Sequence, residues 1–174
     1  SSSCSVYGNA DELPVTESAP MKEAESPYAH TKQIGEGICA RFTKAFPDFK
    51  IVLLRYFNPV GAHASAKIGE MNKRPENLVP IVTQTAIGLR DSMTVFGTDY
   101  DTKDGSCVRD YIHVSDIAHA HTLAMQQSLK NALPGNCEVY NLGTGEGVTV
   151  LELIAAFEKV SGLKLNYTIG GRRA

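Results

Sequence analysis

Three features of the sequence predict an α/β fold built on a parallel sheet. The first is IVLLRYF (51–57), a nearly unbroken apolar run of strand length, as a parallel strand covered on both faces requires. The second is the helical stretch just before it, which with that strand makes half of a βαβ unit. The third is the alternation of strand-like and helical segments through the rest of the chain.

In chain order, SSSCSVYG (1–8) sets a serine cluster at the end of a strand and leads into an aromatic and a glycine. Small hydroxyls then lie at the carboxyl edge of a sheet, where open α/β sheets bind ligands. Residues 9–25 are polar, contain two prolines and show no sustained period, which predicts a surface loop. Ser26 is a good N-cap, and Pro27 suits the first helical position, where its missing N–H costs nothing. That helix is expected to reach about Ala45, with Ile34, Ile38 and Phe42 at four-residue spacing as its buried stripe. FPDF ends it. After the strand at 51–57, residues 58–77 form a long loop rich in Gly, Pro and Asn, of a length that often carries function.

The second half predicts a helix over Leu78 to Leu89, a short strand at TVFG (94–97) and the turn-rich loop GTDYDTKDGS. RDYIHV (109–114) is strand-like, and a helix follows from about Asp116 to Leu129. EVYNLG (138–143) is a strand. A capping box, Thr149 with Glu152, opens a helix to Val160, and KLNYTIG (164–170) is a last strand at an edge.

Composition bounds the function. With 43% hydrophobic and 21% charged residues the chain is an ordinary globular one. A net charge of -2 gives no electrostatic reason for nucleic acid or an anionic membrane as partner. No apolar run approaches the roughly 20 residues that span a bilayer. Cys4, Cys39, Cys107 and Cys137 are scattered and never form CxxC, which argues against a disulfide framework or a zinc site and for a reducing, cytoplasmic setting. The chain starts at Ser1 and stops at GGRRA, which reads as a piece truncated at both ends, with no signal peptide visible.

Several short motifs fail on inspection. NLGTGEG (141–147) follows a strand and precedes a helix, but it is GxGxG rather than GxGxxG, so a tight connection is the better reading. DYDTKDG (99–105) lacks the spacing and closing glutamate of a calcium loop. His113, Asp116, His119 and His121 are explained by capping and partial burial rather than a metal, because residues two apart on a helix point in different directions. Asn166-Tyr-Thr168 matches a glycosylation acceptor without any sign of secretion.

SPYAHTK (26–32) places Tyr28 and Lys32 at i and i+4, on one face of the helix. Alone, that spacing is common on solvated helices. Its order in the chain changes its meaning: a hydroxyl cluster, then Y-x-x-x-K, then a strand ending in RYFNPVGA. With GEM…NLVP, VFGTDYDTKDGSCVRDYIHVSDIAHAH, YNLGTGEG and the terminal GGRR, the sequence resembles the extended short-chain dehydrogenase/reductase family, most closely its members that epimerise C4 of UDP-hexoses. The resemblance spans nearly all of the chain, and the VFGTDYDT…VRDYIHV block is its most diagnostic part.

This resemblance implies a fold and a chemistry. The fold is the C-terminal part of an NAD-binding Rossmann-type parallel sheet (1–60) plus a smaller UDP-sugar-binding α/β domain (61–174), with segments such as 94–115 returning to the core. The activity is interconversion of UDP-galactose and UDP-glucose, with NAD taking a hydride from C4 and returning it to the other face. A free phenol titrates near pH 10, so a tyrosine base working near 7 must be made more acidic by about 4 kcal/mol. A lysine ammonium and the nicotinamide cation supply a field of that sign.

By the same resemblance Tyr28 is the base, Lys32 supports it and bonds the nicotinamide ribose, and Ser3 shares the proton path. Ser1 and Ser5 line the site, and Tyr56 lies beside the nicotinamide. Phe57 and Asn58 sit at the strand's carboxyl end, with Asn58 reaching the sugar or phosphates. Asn77 and Leu78 match a nucleotide-binding turn, and the Val95–Phe96 backbone reads uracil. Tyr111 packs near the uridine. Arg109 and Arg173 clamp the diphosphate, for which bidentate forks suit better than ammonium groups; the plainer alternative for Arg109 is pairing with Asp104 or Asp110. The helix from Pro27 resembles one that family members pack into a dimer-forming four-helix bundle, which implies a homodimer.

The family's GxGxxG loop and its ribose-binding acid have no counterpart in these 174 residues, so the activity is expected of a longer parent and not of this piece alone. Two other readings stay open. One is a nucleotide-sugar 4,6-dehydratase of the same fold, although Cys4 and Ser5 stand where a dehydratase needs an Asp-Glu pair. The other is a non-catalytic UDP-sugar-binding or dimerising remnant.

Overall fold

The computed structural model describes residues 1–172. The chain divides into two compact units, one of Ser1–Pro59 with Tyr111–Glu146, the other of Val60–Asp110 with the residues from Gly147 on. A single cut near residue 60 therefore does not separate them. The segment that rejoins the first unit is 111–146, whereas strands near residues 94 and 108 stay in the second, because each pairs with a strand of that unit.

In the first unit, β1 (Ser2–Ser3), β2 (Ile51–Tyr56) and β7 (Cys137–Leu142) form a parallel sheet in the order β1-β2-β7. Ser2 pairs with Arg55 and Ser3 with Tyr56, so the serine tip and the end of β2 finish side by side. Leu53 and Leu54 are buried, as the apolar run requires. Ser3 then caps a 3-10 helix at Cys4–Tyr7, its Oγ accepting from Ser5 N at 3.2 Å.

Helix α1 (Pro27–Ala45) begins where the sequence predicts, with Ser26 Oγ accepting from Ala29 N at 3.1 Å. Its face is not the predicted one. Ile34, Ile38 and Phe42 are 49%, 62% and 38% exposed, and the buried residues are Ala29, Glu36 and Thr43. Those three recur every seven residues, two turns apart, so a small and polar stripe meets the sheet and the four-residue apolar stripe faces outward. The remaining elements of the unit are β6 (Tyr111–His113) and α3 (Val114–Leu129), which His113 caps by accepting from Ser115 N at 3.1 Å.

The chain leaves this unit through β3 (Asn58–Val60), a strand where the sequence predicts only loop. The second unit holds α2 (Leu78–Ala86), β4 (Met93–Phe96), β5 (Val108–Arg109), β8 (Val148–Thr149), α4 (Val150–Ser161) and β9 (Tyr167–Gly170). β4 pairs in parallel with β9, and β5 antiparallel with β8. Val82, Met93, Val95, Ile154 and Leu165 form its buried core, with Leu78, Ile81 and Phe157 packed against them. α2 stops three residues short of Leu89, and β9 starts three residues past Lys164.

Among the described residues no helix is long and apolar enough to cross a membrane, and no group of three His, Cys, Asp or Glu could hold a metal ion.

Candidate functional site

The first unit gathers one set of the predicted residues around the short strand β1 and the carboxyl end of β2. Lys32 Nζ donates to the Ser1 carbonyl at 3.2 Å and stands 5.5 Å from the centroid of the Tyr28 ring. Tyr28 itself is 56% exposed, its ring open to a ligand. Ser1 Oγ lies 2.8 Å from Tyr56 OH, and Tyr56 OH lies 2.8 Å from His121 Nε2. His121 Nδ1 lies 2.9 Å from the Ile117 carbonyl, which can only accept. Nδ1 therefore donates to that carbonyl, and with the neutral imidazole Nε2 accepts from Tyr56 and Ser1 donates to Tyr56.

His121 is a residue the sequence reading missed. His113 does cap α3, but His119 and His121 are exposed rather than partly buried. The signal was available only as a position: His121 lies two turns into a helix that packs on the strand carrying Tyr56, and a side-chain contact across 65 residues of separation is not legible from spacing. Ser5 Oγ is buried and has no hydrogen-bond partner among the described residues. Phe57 N donates to Leu142 O at 3.0 Å, extending the ladder past β2, and Asn58 and Tyr111 are half-buried in the same unit.

Beneath this tip lies a buried charged hub. Arg55 Nε donates to Glu36 Oε1 at 2.9 Å and Nη2 to Glu36 Oε2 at 2.5 Å, and Ser2 Oγ donates to the same Oε1 at 2.5 Å. Arg55 Nη1 donates to Tyr7 OH, which donates to Asn141 Oδ1, both at 2.7 Å. Each ion-pair side chain is only 5% exposed. Burial opposes the charge on Glu36, yet the Arg55 fork and the Ser2 hydroxyl hold its carboxyl below the usual carboxylate range. For Arg55 burial likewise opposes the charge, and Glu36 with Tyr7 outweighs it and pushes the guanidinium up.

The second unit carries the other set. Asn77 caps α2 in an extended conformation without a side-chain cap bond, and Leu78 opens the helix. Val95 is buried and Phe96 exposed at the end of β4. Arg109 is exposed at the end of β5, its Nη1 donating to Val108 O at 2.8 Å. Asp104 is occupied elsewhere, accepting from Ser106 N and Oγ at 2.9 and 2.7 Å and from Thr149 Oγ1 at 2.5 Å. The Thr149 hydroxyl first, then the Ser106 groups, hold the Asp104 carboxyl below its ordinary range. This knot, with Gly105 at φ +77 and so close to Thr98 O that a Cβ would sit 2.1 Å from it, shapes the loop before Arg109. Arg172 packs over the Tyr100 ring at 4.3 Å and bonds Asp99 Oδ1 at 2.9 Å. Arg173 lies outside the described residues.

A helix carrying Tyr28 and Lys32 thus lies against a parallel sheet whose first strand is the serine pair Ser2–Ser3. The model of the NAD dependent epimerase/dehydratase family matches residues 1–143, and the chain belongs to that family. Within it the chain is similar to UDP-glucose 4-epimerase 1 of Oryza sativa subsp. japonica, 52% identical over 99% of this chain and 49% of that protein. The crystal structure of UDP-glucose-4-epimerase from Stenotrophomonas maltophila with bound NAD and formylated UDP-arabinopyranose superposes with a TM-score of 0.93. It is 48% identical, over 99% of this chain and 50% of that one. The enzyme from Bifidobacterium longum, in complex with NAD+ and UDP, gives a TM-score of 0.90 and 45% identity over 99% and 51%. The chain spans about half the length of the curated relatives it matches.

Proposed function

We propose that the protein carrying this chain is a UDP-glucose 4-epimerase, interconverting UDP-galactose and UDP-glucose, and that the chain provides its Tyr28, Lys32 and Ser3. The observation that carries this reading is the Lys32 ammonium, which meets both the Tyr28 ring and the backbone of the serine segment, at the Ser1 carbonyl just before β1.

The residues present fit NAD. An ammonium has three donors, and the Ser1 carbonyl takes one at 3.2 Å, which leaves donors for ribose hydroxyls. Bound there, NAD supplies the hydride acceptor and donor for C4 of the hexose. Tyr28 takes the proton of the 4-hydroxyl as its phenolate and returns it as the phenol, and the Lys32 charge favours the phenolate. Ser3 shares that proton path, while Tyr56, held by Ser1 and His121, and Ser1 itself line the cofactor.

Ser5, Phe57, Asn58 and Tyr111 of the first unit, and Asn77, Leu78, Val95, Phe96, Arg109 and Arg173, are assigned to the UDP-sugar. The domain reading follows the units: the first is the cofactor part, the second the UDP-sugar part. The exposed apolar stripe of α1 supports a homodimer. We place the protein in the cytoplasm, with no nucleic-acid or membrane partner.

The test incubates the complete protein with NAD and UDP-galactose and follows UDP-glucose, with Tyr28→Phe in parallel. Interconversion by the wild type and loss of most of the rate in the variant is the expected result. No interconversion, or a variant that keeps its rate, overturns the reading; a 4-keto-6-deoxy product means a dehydratase.

A further inference from the structure

We infer that the buried Glu36–Arg55 pair is a positioning device for the proposed reaction, setting the helix that bears Tyr28 and Lys32 against the strand tip that bears Ser3. The inference rests on the epimerase reading for its chemistry and on the hub for its geometry.

Tyr28, Lys32 and Glu36 follow one another at four-residue spacing, so they share one face of α1. Fixing the height and rotation of the third fixes the other two. The carboxylate of Glu36 takes hydrogen bonds from both neighbouring strands: from Ser2 of β1 and, through a two-armed fork, from Arg55 of β2. Ser2 and Arg55 are partners in the parallel register, and the next pair along is Ser3 with Tyr56. The tie is thus made one residue before the site. Through Arg55 Nη1 and Tyr7 OH it reaches Asn141 of β7, so all three strands are joined to one point on the helix.

Apolar packing does not supply this register. The buried residues of α1 are Ala29, Glu36 and Thr43, none of them a large apolar side chain that could key into the sheet. Shape alone leaves such a helix free to slide or turn by a fraction of a residue, whereas a bidentate pair with three bonds on one carboxylate defines a single position. Buried charges of this kind are little screened by salt.

The test uses the complete protein with the pair replaced by apolar residues, Glu36→Met with Arg55→Met, and with Glu36→Gln as the conservative variant. Replacing a buried ion pair by apolar groups is often neutral or stabilising, so the melting temperature is expected to hold or rise. The kcat is expected to fall about 10- to 100-fold, the cost of a misplacement on the order of 1 Å, with KM for the UDP-sugar unchanged. Glu36→Gln keeps the shape and an acceptor for Ser2, and should recover part of the loss. In protein labelled with ring-13C tyrosine, the Tyr28 signal, assigned with Tyr28→Phe, is expected to shift in the apolar pair without any ligand. Wild-type kcat together with an unmoved Tyr28 signal overturns the inference. If the apolar pair fails to fold, Glu36→Gln decides by the same two readouts. A wild type that interconverts nothing sinks the epimerase reading, and the Tyr28 signal then decides the positioning role by itself.

Discussion

The Lys32 ammonium is shared between Tyr28 and Ser1: it lies 5.5 Å from the centroid of the aromatic ring and 3.2 Å from the carbonyl of Ser1, the residue before β1. One charge is therefore fixed with respect to both elements that the proposed chemistry needs. Lys32→Met keeps the stem and removes the charge. It is expected to lower kcat by about 10- to 1000-fold, the range a single nearby charge is worth to an ionising group. Initial rates at saturating UDP-galactose check this, and an unchanged rate takes Lys32 out of the proton path. Tyr28→Phe, which removes the base itself, should cost about 100- to 10,000-fold.

Glu36 predicts how the fold responds to acid. Its carboxyl titrates below the ordinary range in the folded chain, so the folded state binds this proton less readily than the unfolded one. The stability it contributes is complete above the ordinary carboxylate range, near pH 4.5, and is lost as pH falls through the lower folded value. Thermal melts from pH 7 down to 3 should show this loss in the wild type, and a flatter acid limb in the Glu36→Met, Arg55→Met double variant. At pH 7 Glu36→Ala leaves Arg55 buried without its partner and is expected to cost about 3–5 kcal/mol by urea denaturation.

The sequence made the order of elements legible because each signal was local. IVLLRYF gave a parallel strand, Ser26-Pro27 a helix start and Thr149 with Glu152 a capping box, and all three stand in the structure, the box with both of its bonds formed. It misread the buried face of α1, because periodicity identifies an apolar stripe but not what covers it. Glu36 and Thr43, polar by type, were passed over for Ile34, Ile38 and Phe42. Partners far apart in sequence were equally out of reach. Glu36 with Arg55, Tyr56 with His121 and Asp104 with Thr149 are side-chain meetings decided by how strands and helices stack. The Tyr28–Lys32 pair was readable because four residues on a helix is a contact by itself.

Thr149 serves two elements in the second unit. Its hydroxyl accepts from Glu152 N at 3.1 Å as the N-cap of α4 and donates to Asp104 Oδ2 at 2.5 Å. Thr149→Val keeps the shape and removes both bonds. Loss of such a cap is expected to cost about 1–2 kcal/mol, which for a chain of this size lowers the melting temperature by about 2–8 °C. The Asp104 loop leads directly to Arg109, so the variant should also raise KM for the UDP-sugar more than it lowers kcat. Calorimetry and steady-state rates together check this, and a melting temperature equal to that of the wild type contradicts the role given to the knot.

The outward stripe of α1 makes the last prediction. Ile34, Ile38 and Phe42 continue into Phe46 and Phe49, with ring centroids 4.8 Å apart for Phe42–Phe46 and 5.1 Å for Phe42–Phe49. Ile34, Ile38 and Phe42 lie four apart on a helix whose other face is already occupied by the sheet, and Phe46 and Phe49 extend their apolar ridge past its end. In an isolated protomer, Ile38 is 62% exposed, and a change to arginine there should alter stability by no more than about 0.5 kcal/mol. If two copies bury this ridge against each other, the same change places a charge in an apolar interface with nothing to pair it. Ile38→Arg is therefore expected to convert a dimer into a monomer of unchanged fold. Light scattering after size exclusion reads the mass, and circular dichroism reads the helix content. A variant that stays dimeric removes this face from the interface.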